Sequence, residues 1–208
     1  MTGGGPPDKP AQRPAPAASS ARTAEREDWR RALHAASSAF GPLAFQLPGH
    51  GGTLALASLA GLALVLEGAR KTIPTVQRVV GTLGRAVFRP GEERGISGPT
   101  ALAVGYLAAW SLFDARSAAA AIVVAGLADP AAALVGRRWG RPGGKSMAGS
   151  AACAGTAAVT LLACGYSPAS ALIGGAVAAV AERAPWRAAD NILVPLAVGG
   201  ALAILGTR

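Results

Sequence analysis

Polar and charged residues divide this chain into long uncharged runs separated by short basic segments. The uncharged runs occupy residues 35–66, 95–113, 117–128, 146–181 and 191–207. A helix that crosses a membrane needs about 20 mostly apolar residues, with about 17 as a lower limit. Glycine and proline interrupt two of the runs, at "LPGHGG" (47–52) and at "GYSP" (165–168), so each of these runs is divided into two helices. The pattern predicts an all-α, polytopic transmembrane bundle of about seven helices, at about 31–47, 53–67, 99–113, 117–136, 147–164, 169–182 and 191–207.

The composition agrees with a chain that is largely removed from water. Of its 208 residues, 51% are hydrophobic and 15% are charged, whereas soluble domains carry about 25% charged residues. Residues 1–28 differ because they are rich in Pro, Ala, Gly and charge, so we expect a disordered tail there and a transmembrane domain over 29–208. Cys153 and Cys164 have no partner at metal-ligand spacing and are expected to pack as small apolar side chains.

The basic residues are distributed unevenly between the two ends of the predicted helices. With the N-terminus in the cytoplasm and the helices alternating in direction, all but two of the 20 basic residues fall on the cytoplasmic side, the exceptions being Arg116 and Arg208. The net charge of +9 is then a collar at the cytoplasmic membrane surface, and nucleic acid is not an expected partner. The chain is therefore predicted to be an integral, multi-pass membrane protein.

Acidic residues collect at the same cytoplasmic ends. Glu67, Asp129 and Glu182 lie near the C-terminal ends of predicted helices, where the helix dipole disfavours a carboxylate by about 0.3–1 kcal/mol. Three such placements, with Asp190 at the start of the last helix, predict a bound cation, for which Mg²⁺ with a nucleotide is the natural candidate. Pro130 is expected to free or bend the backbone beside Asp129, whose carboxylate should face the bundle interior rather than lipid.

Helix starts at the cytoplasmic face predict sites for phosphate. Ser97, Ser146 and either Asp190 or Asn191 are expected N-caps, and the backbone N–H groups behind a cap attract anions. The loop "GRPGGKS" (140–146) is not a Walker A motif, because Trp139 stands where a glycine is required and no strand precedes it.

The glycines of this loop have two interpretations. Gly136, Gly140 and Gly144 would let a phosphate approach the backbone beside Lys145, but the same spacing is also typical of small residues at a helix–helix contact. Both interpretations stay open at the level of sequence.

Five segments, in order over most of residues 29–198, resemble the CTP-dependent lipid kinases, the family of dolichol kinase, phytol kinase and the CTP-dependent diacylglycerol kinase. The closest match is "ADPAAALVGRRWGRPGGKSMAGS" (128–150), which is similar to the family's Asp-Pro-Ala-Ala-x-x-x-Gly-x-x-x-Gly core. The other segments are "WRRALHAAS" (29–37), "LEGARKTIP" (66–74), "RPGEERGISGPTALAVGYL" (89–107) and "AERAPWRAADNILVPLAVG" (181–199). The loop "GRPGGKS" departs from the family's more basic form.

The resemblance implies an enzyme that transfers the γ-phosphate of CTP to a lipid alcohol at the cytoplasmic face, with Mg²⁺ or another divalent metal. The residues it implies as catalytic are Asp129, Lys145, His34 and Glu182. The implied nucleotide and phosphate contacts are Gly136, Arg137, Arg138, Gly140, Gly144, Lys145, Ser146 and Asn191. The implied metal ligands are Asp129, Glu182 and Asp190, with Glu67 and Arg70 on the same face.

Two other functions stay open. A phosphatidate cytidylyltransferase would use the same CTP and metal, but its acceptor would attack the α-phosphate and release diphosphate. In a non-enzymatic membrane protein the charges would serve only as topology signals. The sequence leaves open whether the acceptor is a polyprenol, phytol or diacylglycerol, and what the oligomeric state is.

Overall fold

The computed structural model describes the backbone of residues 17–83, 95–139, 145–184 and 190–206, and the side chains of these ranges except 17–26 and 81–83. Within them the chain forms nine α-helices and no strand, which confirms the all-α class. The helices are α1 (Ala17–Ser37), α2 (Phe40–Gln46), α3 (Gly51–Thr72), α4 (Pro74–Leu83), α5 (Gly98–Leu112), α6 (Ala115–Trp139), α7 (Met147–Ala163), α8 (Pro168–Glu182) and α9 (Asp190–Leu205).

The five helices α5 to α9 lie within three residues of their predicted bounds. The break at "GYSP" follows from local chemistry. Gly165 has a φ of +78°, and Tyr166 N donates to Leu161 O at 3.0 Å, which closes the end of α7. Ser167 then caps α8 by accepting a hydrogen bond from Ser170 N at 3.1 Å, and Pro168 occupies the first helical position.

The prediction of one helix over 31–47 is wrong, because α1 ends at Ser37 and α2 begins at Phe40. Pro42 explains the break: it has no N–H for the carbonyl of Ser38, and its ring would clash with that carbonyl in a continuous helix. A proline is tolerated in the first turn of α2, where no intrahelical donor is needed. At its other end α1 begins at Ala17, inside the segment predicted as a disordered tail, while residues 1–16 lie outside the described residues.

Helix α4 was not predicted either. Pro74 occupies its first position, directly after the extended residue Ile73 that ends α3. Its valines, Val76, Val79 and Val80, lie three and four residues apart and form one apolar face.

Helix α6 is the central element of the bundle. It packs against α1, α2, α5, α7, α8 and α9, and its residues from Ser117 to Ala132 are mostly buried. Alanine fills much of this core, for example Ala118, Ala121 and Ala128 with no exposed surface, so the helices approach closely.

The helices alternate in direction, and one end of the bundle collects the polar contacts. At this end, which we call the site end, α3, α6 and α8 finish and α5, α7 and α9 begin. Glu67 of α3 contacts Thr100 of α5, and Asn191 of α9 contacts Gly98 of α5. The opposite end, the far end, carries the turns after α5 and α7.

At the far end Asp114 caps α6 through a hydrogen bond from Ser117 N at 3.0 Å. Burial alone would raise the pKa of Asp114, but the hydrogen bonds from Ser117 outweigh it and hold the pKa below its usual value.

Among the described residues, two helices are long and apolar enough to cross a membrane, judged by length and composition: α3 with 22 residues and α6 with 25. The two helices differ in burial. In an apolar stretch of 18 residues, 22% of the residues of α3 are buried in the bundle, against 56% of those of α6. Much of the outward surface of α3 therefore consists of exposed leucine and valine, including Leu54, Leu62, Val65 and Leu66.

Candidate functional site

Asp129 and His34 meet at the site end, on α6 and α1. The Nδ1 atom of His34 lies 3.5 Å from Oδ2 of Asp129, and both side chains are largely shielded from solvent. The separation is longer than the 2.7–2.9 Å of a strong charge-assisted hydrogen bond. Asp129 is also turned into the bundle rather than outward, as its cost in lipid predicts.

A cavity of about 290 Å³ opens beside this pair. Its apolar wall comes from helices α1, α2, α3 and α5. The residues of this wall include Leu33, Phe40, Leu59, Ala63, Leu102 and Ala103. Its polar wall comes from α1, α5, α6 and α9. The residues of that wall are Arg30, His34, Ser37, Tyr106, Asp129 and Asn191. The cavity thus offers an apolar volume directly beside a histidine–carboxylate pair.

Asn191 joins two helix starts on the polar wall. Its side-chain amide donates to the carbonyl of Gly98 at 3.0 Å, so the first turns of α5 and α9 are linked. A side chain on Gly105 would lie only 2.5 Å from the carbonyl oxygen of Asn191, so the absence of one lets α5 pack close to α9 here. The backbone N–H groups of both helix starts lie at the site end, as an anion site requires.

Lys145, Glu182 and Asp190 form a second polar cluster at the site end. The Nζ atom of Lys145 lies 3.5 Å from Oε1 of Glu182 and 3.7 Å from Oδ2 of Asp190. It also donates to the backbone carbonyls of Glu182 and Ala184, and so caps the end of α8. Because Asp190 and Asn191 are consecutive residues, this cluster adjoins the polar wall of the cavity.

Ser146 and Gly136 fix how α7 begins against the end of α6. Ser146 is the predicted N-cap of α7, and its hydroxyl accepts a hydrogen bond from Gly149 N at 3.0 Å. A side chain on Gly136 would lie 3.2 Å from that hydroxyl, and one on Gly149 would lie 2.9 Å from Ala132 O. For Gly136 this geometry favours the helix-packing interpretation. Gly140 and Gly144 lie outside the described residues.

The two arginines at the end of α6 do not line the cavity and contact other side chains. Arg137 pairs with Asp28 at 2.9 Å and with Glu27 at 3.7 Å, which ties the end of α6 to α1. The guanidinium of Arg138 lies over the ring of Trp139, 5.6 Å from its centroid, and Trp139 is exposed. That Arg137 and Arg138 contact phosphate stays a prediction.

Glu67 and Arg70 form a separate buried cluster that braces α3 against α5. Arg70 Nη2 donates to Glu67 Oε1 at 2.5 Å, and Lys71 Nζ lies 3.1 Å from the same oxygen. The other oxygen, Oε2, accepts hydrogen bonds from Thr100 Oγ1 at 3.2 Å and Ser97 N at 3.4 Å. Ser97 occupies the predicted N-cap position of α5, but its hydroxyl contacts Thr100 instead of the backbone.

The predicted metal ligands are divided between two places. Asp129 faces His34, whereas Glu182 and Asp190 converge on the ammonium of Lys145. Among the described residues no three His, Cys, Asp or Glu side chains are grouped as a metal site. Magnesium commonly uses only one or two carboxylates and takes its other ligands from substrate phosphates and water, and this weaker requirement is one that Asp129 and Asp190 can meet.

Sequence patterns missed three residues of the polar wall, Arg30, Ser37 and Tyr106. Tyr106 is almost fully buried, and its hydroxyl lies 2.8 Å from Ser37 Oγ. Arg30 was noted only as part of the basic collar. Tyr106 and Ser37 are 69 positions apart, and no local motif signals such a contact.

Comparison of the chain with protein-family models, with curated protein sequences and with solved structures gives no match. The function is therefore argued from the residues and their geometry.

Proposed function

We propose that the protein is a multi-pass membrane kinase that transfers the γ-phosphate of CTP to a lipid alcohol, with its site end toward the cytoplasm. The observation that carries the proposal is the position of the His34–Asp129 pair on the polar wall of a cavity whose other wall is apolar. A lipid alcohol has this same division, with one hydroxyl on a long apolar body. The choice of CTP as donor rests on the five segments that resemble the CTP-dependent lipid kinases.

The exterior of the bundle supports a membrane location. A contiguous apolar surface on a soluble protein rarely exceeds a few hundred Å². Helix α3 is apolar over a membrane-spanning length and mostly unburied, and α7 and α8 also expose large apolar side chains, among them Val159, Leu172 and Val180. Lipid chains are the solvent that such a surface requires.

The polar groups at the site end support the proposal that a nucleoside triphosphate binds there. The starts of α5, α7 and α9 bring backbone N–H groups to this end, and Lys145 and Arg30 supply positive charge there. Phosphoryl transfer depends mainly on alignment of the reactants and on neutralising charge on the transferred group. In the proposed complex Lys145 leaves part of its contact with Glu182 and Asp190 to contact phosphate.

His34 and Asp129 supply the base in the proposed reaction. In the proposed complex the Nδ1–H of the neutral imidazole faces the Asp129 carboxylate, 3.5 Å away, and the lone pair is on Nε2, a buried atom that the acceptor hydroxyl must reach to pass on its proton. The acceptor oxygen forms a bond to the γ-phosphorus while the bond from that phosphorus to the bridging oxygen breaks. The hydroxyl proton goes to His34 and CDP leaves. Magnesium, when bound with the nucleotide near Asp129 and Asp190, would neutralise phosphate charge.

The test is an incubation of the purified protein in detergent with CTP labelled at the γ-phosphate, Mg²⁺ and a panel of lipid alcohols. The panel contains a polyprenol, phytol and a diacylglycerol, and parallel samples contain labelled ATP or GTP. The proposal predicts organic-extractable label with at least one acceptor, formation of CDP, and a preference for CTP. Release of diphosphate with formation of a CDP-lipid would instead identify a cytidylyltransferase.

A further inference from the structure

One backbone hydrogen bond of helix α6 cannot form near Asp129. Pro130 lies inside the helix and has no N–H to offer the carbonyl of Gly126. Gly126 is buried, and Ser38, the first residue after α1, lies directly over it: a side chain on Gly126 would lie 2.6 Å from Ser38 Cβ and 2.8 Å from both Ser38 Cα and Ser38 N. Two of these three atoms belong to the backbone, so trimming the Ser38 side chain could not make room.

This close approach sets the register between α1 and α6. His34 lies in the last turn of α1, just before Ser38, and Asp129 lies three residues after Gly126 on the same face of α6. Because Ser38 packs on Gly126, His34 lies beside Asp129, with its Nδ1 atom 3.5 Å from Oδ2 of Asp129. A displacement of α1 at Gly126 would be passed on directly to that separation.

A hydrogen-bond chain holds the same end of α1 from the other side. Ser37 Oγ donates to the carbonyl of His34 at 2.5 Å, which uses its single proton. The 2.8 Å contact between Ser37 Oγ and Tyr106 OH then has the tyrosine as donor. Tyr106 is nearly fully buried on α5, so the last turn of α1 is fixed between α5 and α6.

We infer that Gly126 and Tyr106 are positioning residues, which hold His34 at the distance from Asp129 that the proton transfer needs. The claim that this position of His34 matters for catalysis rests on the proposed kinase function. The claim that Gly126 and Tyr106 hold His34 beside Asp129, the geometric part, does not. In the proposed reaction the proton goes to His34, and neither Gly126 nor Tyr106 takes part in the transfer.

The geometric part is tested by NMR of the histidine imidazoles in detergent micelles. The chain has only two histidines, His34 and His50, so His50 serves as an internal reference. Asp129→Asn should shift the His34 signals and leave those of His50 in place. Gly126→Ala should also shift His34, because α1 can no longer reach its contact distance. The control is Gly155→Ala, since a side chain at Gly155 meets nothing within 4 Å.

Tyr106→Phe is the second variant, and it carries the test if Gly126→Ala does not fold. It removes only the hydroxyl, so the ring continues to fill the core. The matched control is Tyr166→Phe, which changes the other of the chain's two tyrosines, at the far end. Tyr106→Phe should shift His34 and Tyr166→Phe should not.

The kinetic part separates positioning from general loss of structure. A misplacement of about 1 Å can cost about 100-fold in rate. Gly126→Ala should therefore lower kcat about 100-fold with the KM for CTP within about threefold of the unmodified protein. Unshifted His34 signals in folded Gly126→Ala or in Tyr106→Phe would overturn the inference, as would equal losses in the Gly155→Ala control. If the shifts occur but no acceptor is phosphorylated by the unmodified protein, the geometry stands and the proposed function fails.

Discussion

The ammonium nitrogen of Lys145 lies 3.5 Å from Oε1 of Glu182, a buried carboxylate at the end of α8. The same nitrogen caps the last carbonyls of α8 and lies close to Asp190 at the start of α9. One lysine therefore joins the starts of α7 and α9 to the end of α8. A cation in this place balances two acidic groups when no nucleotide is bound.

Lys145→Met tests whether this lysine also acts on phosphate. The lysine is 36% exposed but its partner Glu182 is buried, so the loss of the ion pairs should cost about 1–3 kcal/mol of stability. Turnover should fall much further, by about 100-fold or more, because a group that neutralises transferred phosphate would be lost. Lys71→Met is the matched control, since Lys71 is 37% exposed and pairs with Glu67. A similar loss of turnover in both variants would contradict the assignment.

Glu67→Gln should destabilise the bundle. The Glu67 and Arg70 side chains are only 8% and 10% exposed, so removing the negative charge leaves a poorly compensated arginine. Breaking such a buried pair costs about 3 kcal/mol. Thermal unfolding in detergent, followed by circular dichroism, should show a clear drop in midpoint. Glu27→Gln, at a carboxylate that is 41% exposed, should lower the midpoint less. Equal midpoints for the two variants would contradict a stabilising role of the Glu67–Arg70 pair.

Ala63→Leu should narrow the apolar part of the cavity. Ala63 lines the cavity on α3, and an added larger side chain in a packed space costs about 1–3 kcal/mol. The KM for the lipid alcohol should rise about tenfold or more, since about 1.4 kcal/mol corresponds to a factor of ten, while the KM for CTP stays within about twofold. The control is Ala57→Leu, on the exposed face of the same helix. An unchanged lipid KM would show that the acceptor binds elsewhere.

Cysteine labelling in intact cells tests the orientation of the bundle. Trp139→Cys and Met147→Cys place exposed thiols at the site end, and Ala115→Cys places one at the far end. A membrane-impermeant maleimide should label only the far-end thiol until the membrane is permeabilised, because basic segments remain in the cytoplasm. Cys164→Ser removes the less buried native thiol from the background. If the thiols of Trp139→Cys and Met147→Cys were labelled from opposite sides of the membrane, the ends of α6 and α7 could not form one site on the cytoplasmic side.

Local signals account for the parts of the fold that the sequence predicted well. Ser146 and Ser167 each accept a hydrogen bond from the backbone three residues ahead, and such caps are visible as short motifs. Pro42 was a signal of the same kind, and it marks the break between α1 and α2 that the apolar pattern concealed. Helix α4 was missed because it is short and only one of its faces is apolar.

Long-range contacts account for most of what the sequence did not predict. Glu67 was placed at the correct end, but its pairing with Thr100 joins residues 33 positions apart. The contact of Ser38 with Gly126 likewise depends on how two helices cross. The predicted grouping of Asp129 with Glu182 and Asp190 as metal ligands remains a prediction. The resemblance also implied His34 as a catalytic residue, and the structure places it beside Asp129.

The most direct test of the central claim uses CTP labelled separately at the α- and γ-phosphates, with purified unmodified protein and Asp129→Asn in parallel. The account predicts that only the γ-label enters the lipid fraction, that CDP retains the α-label, and that Asp129→Asn inserts and folds normally but gives no labelled lipid. Transfer of the α-label to lipid, or normal turnover by Asp129→Asn, would contradict it.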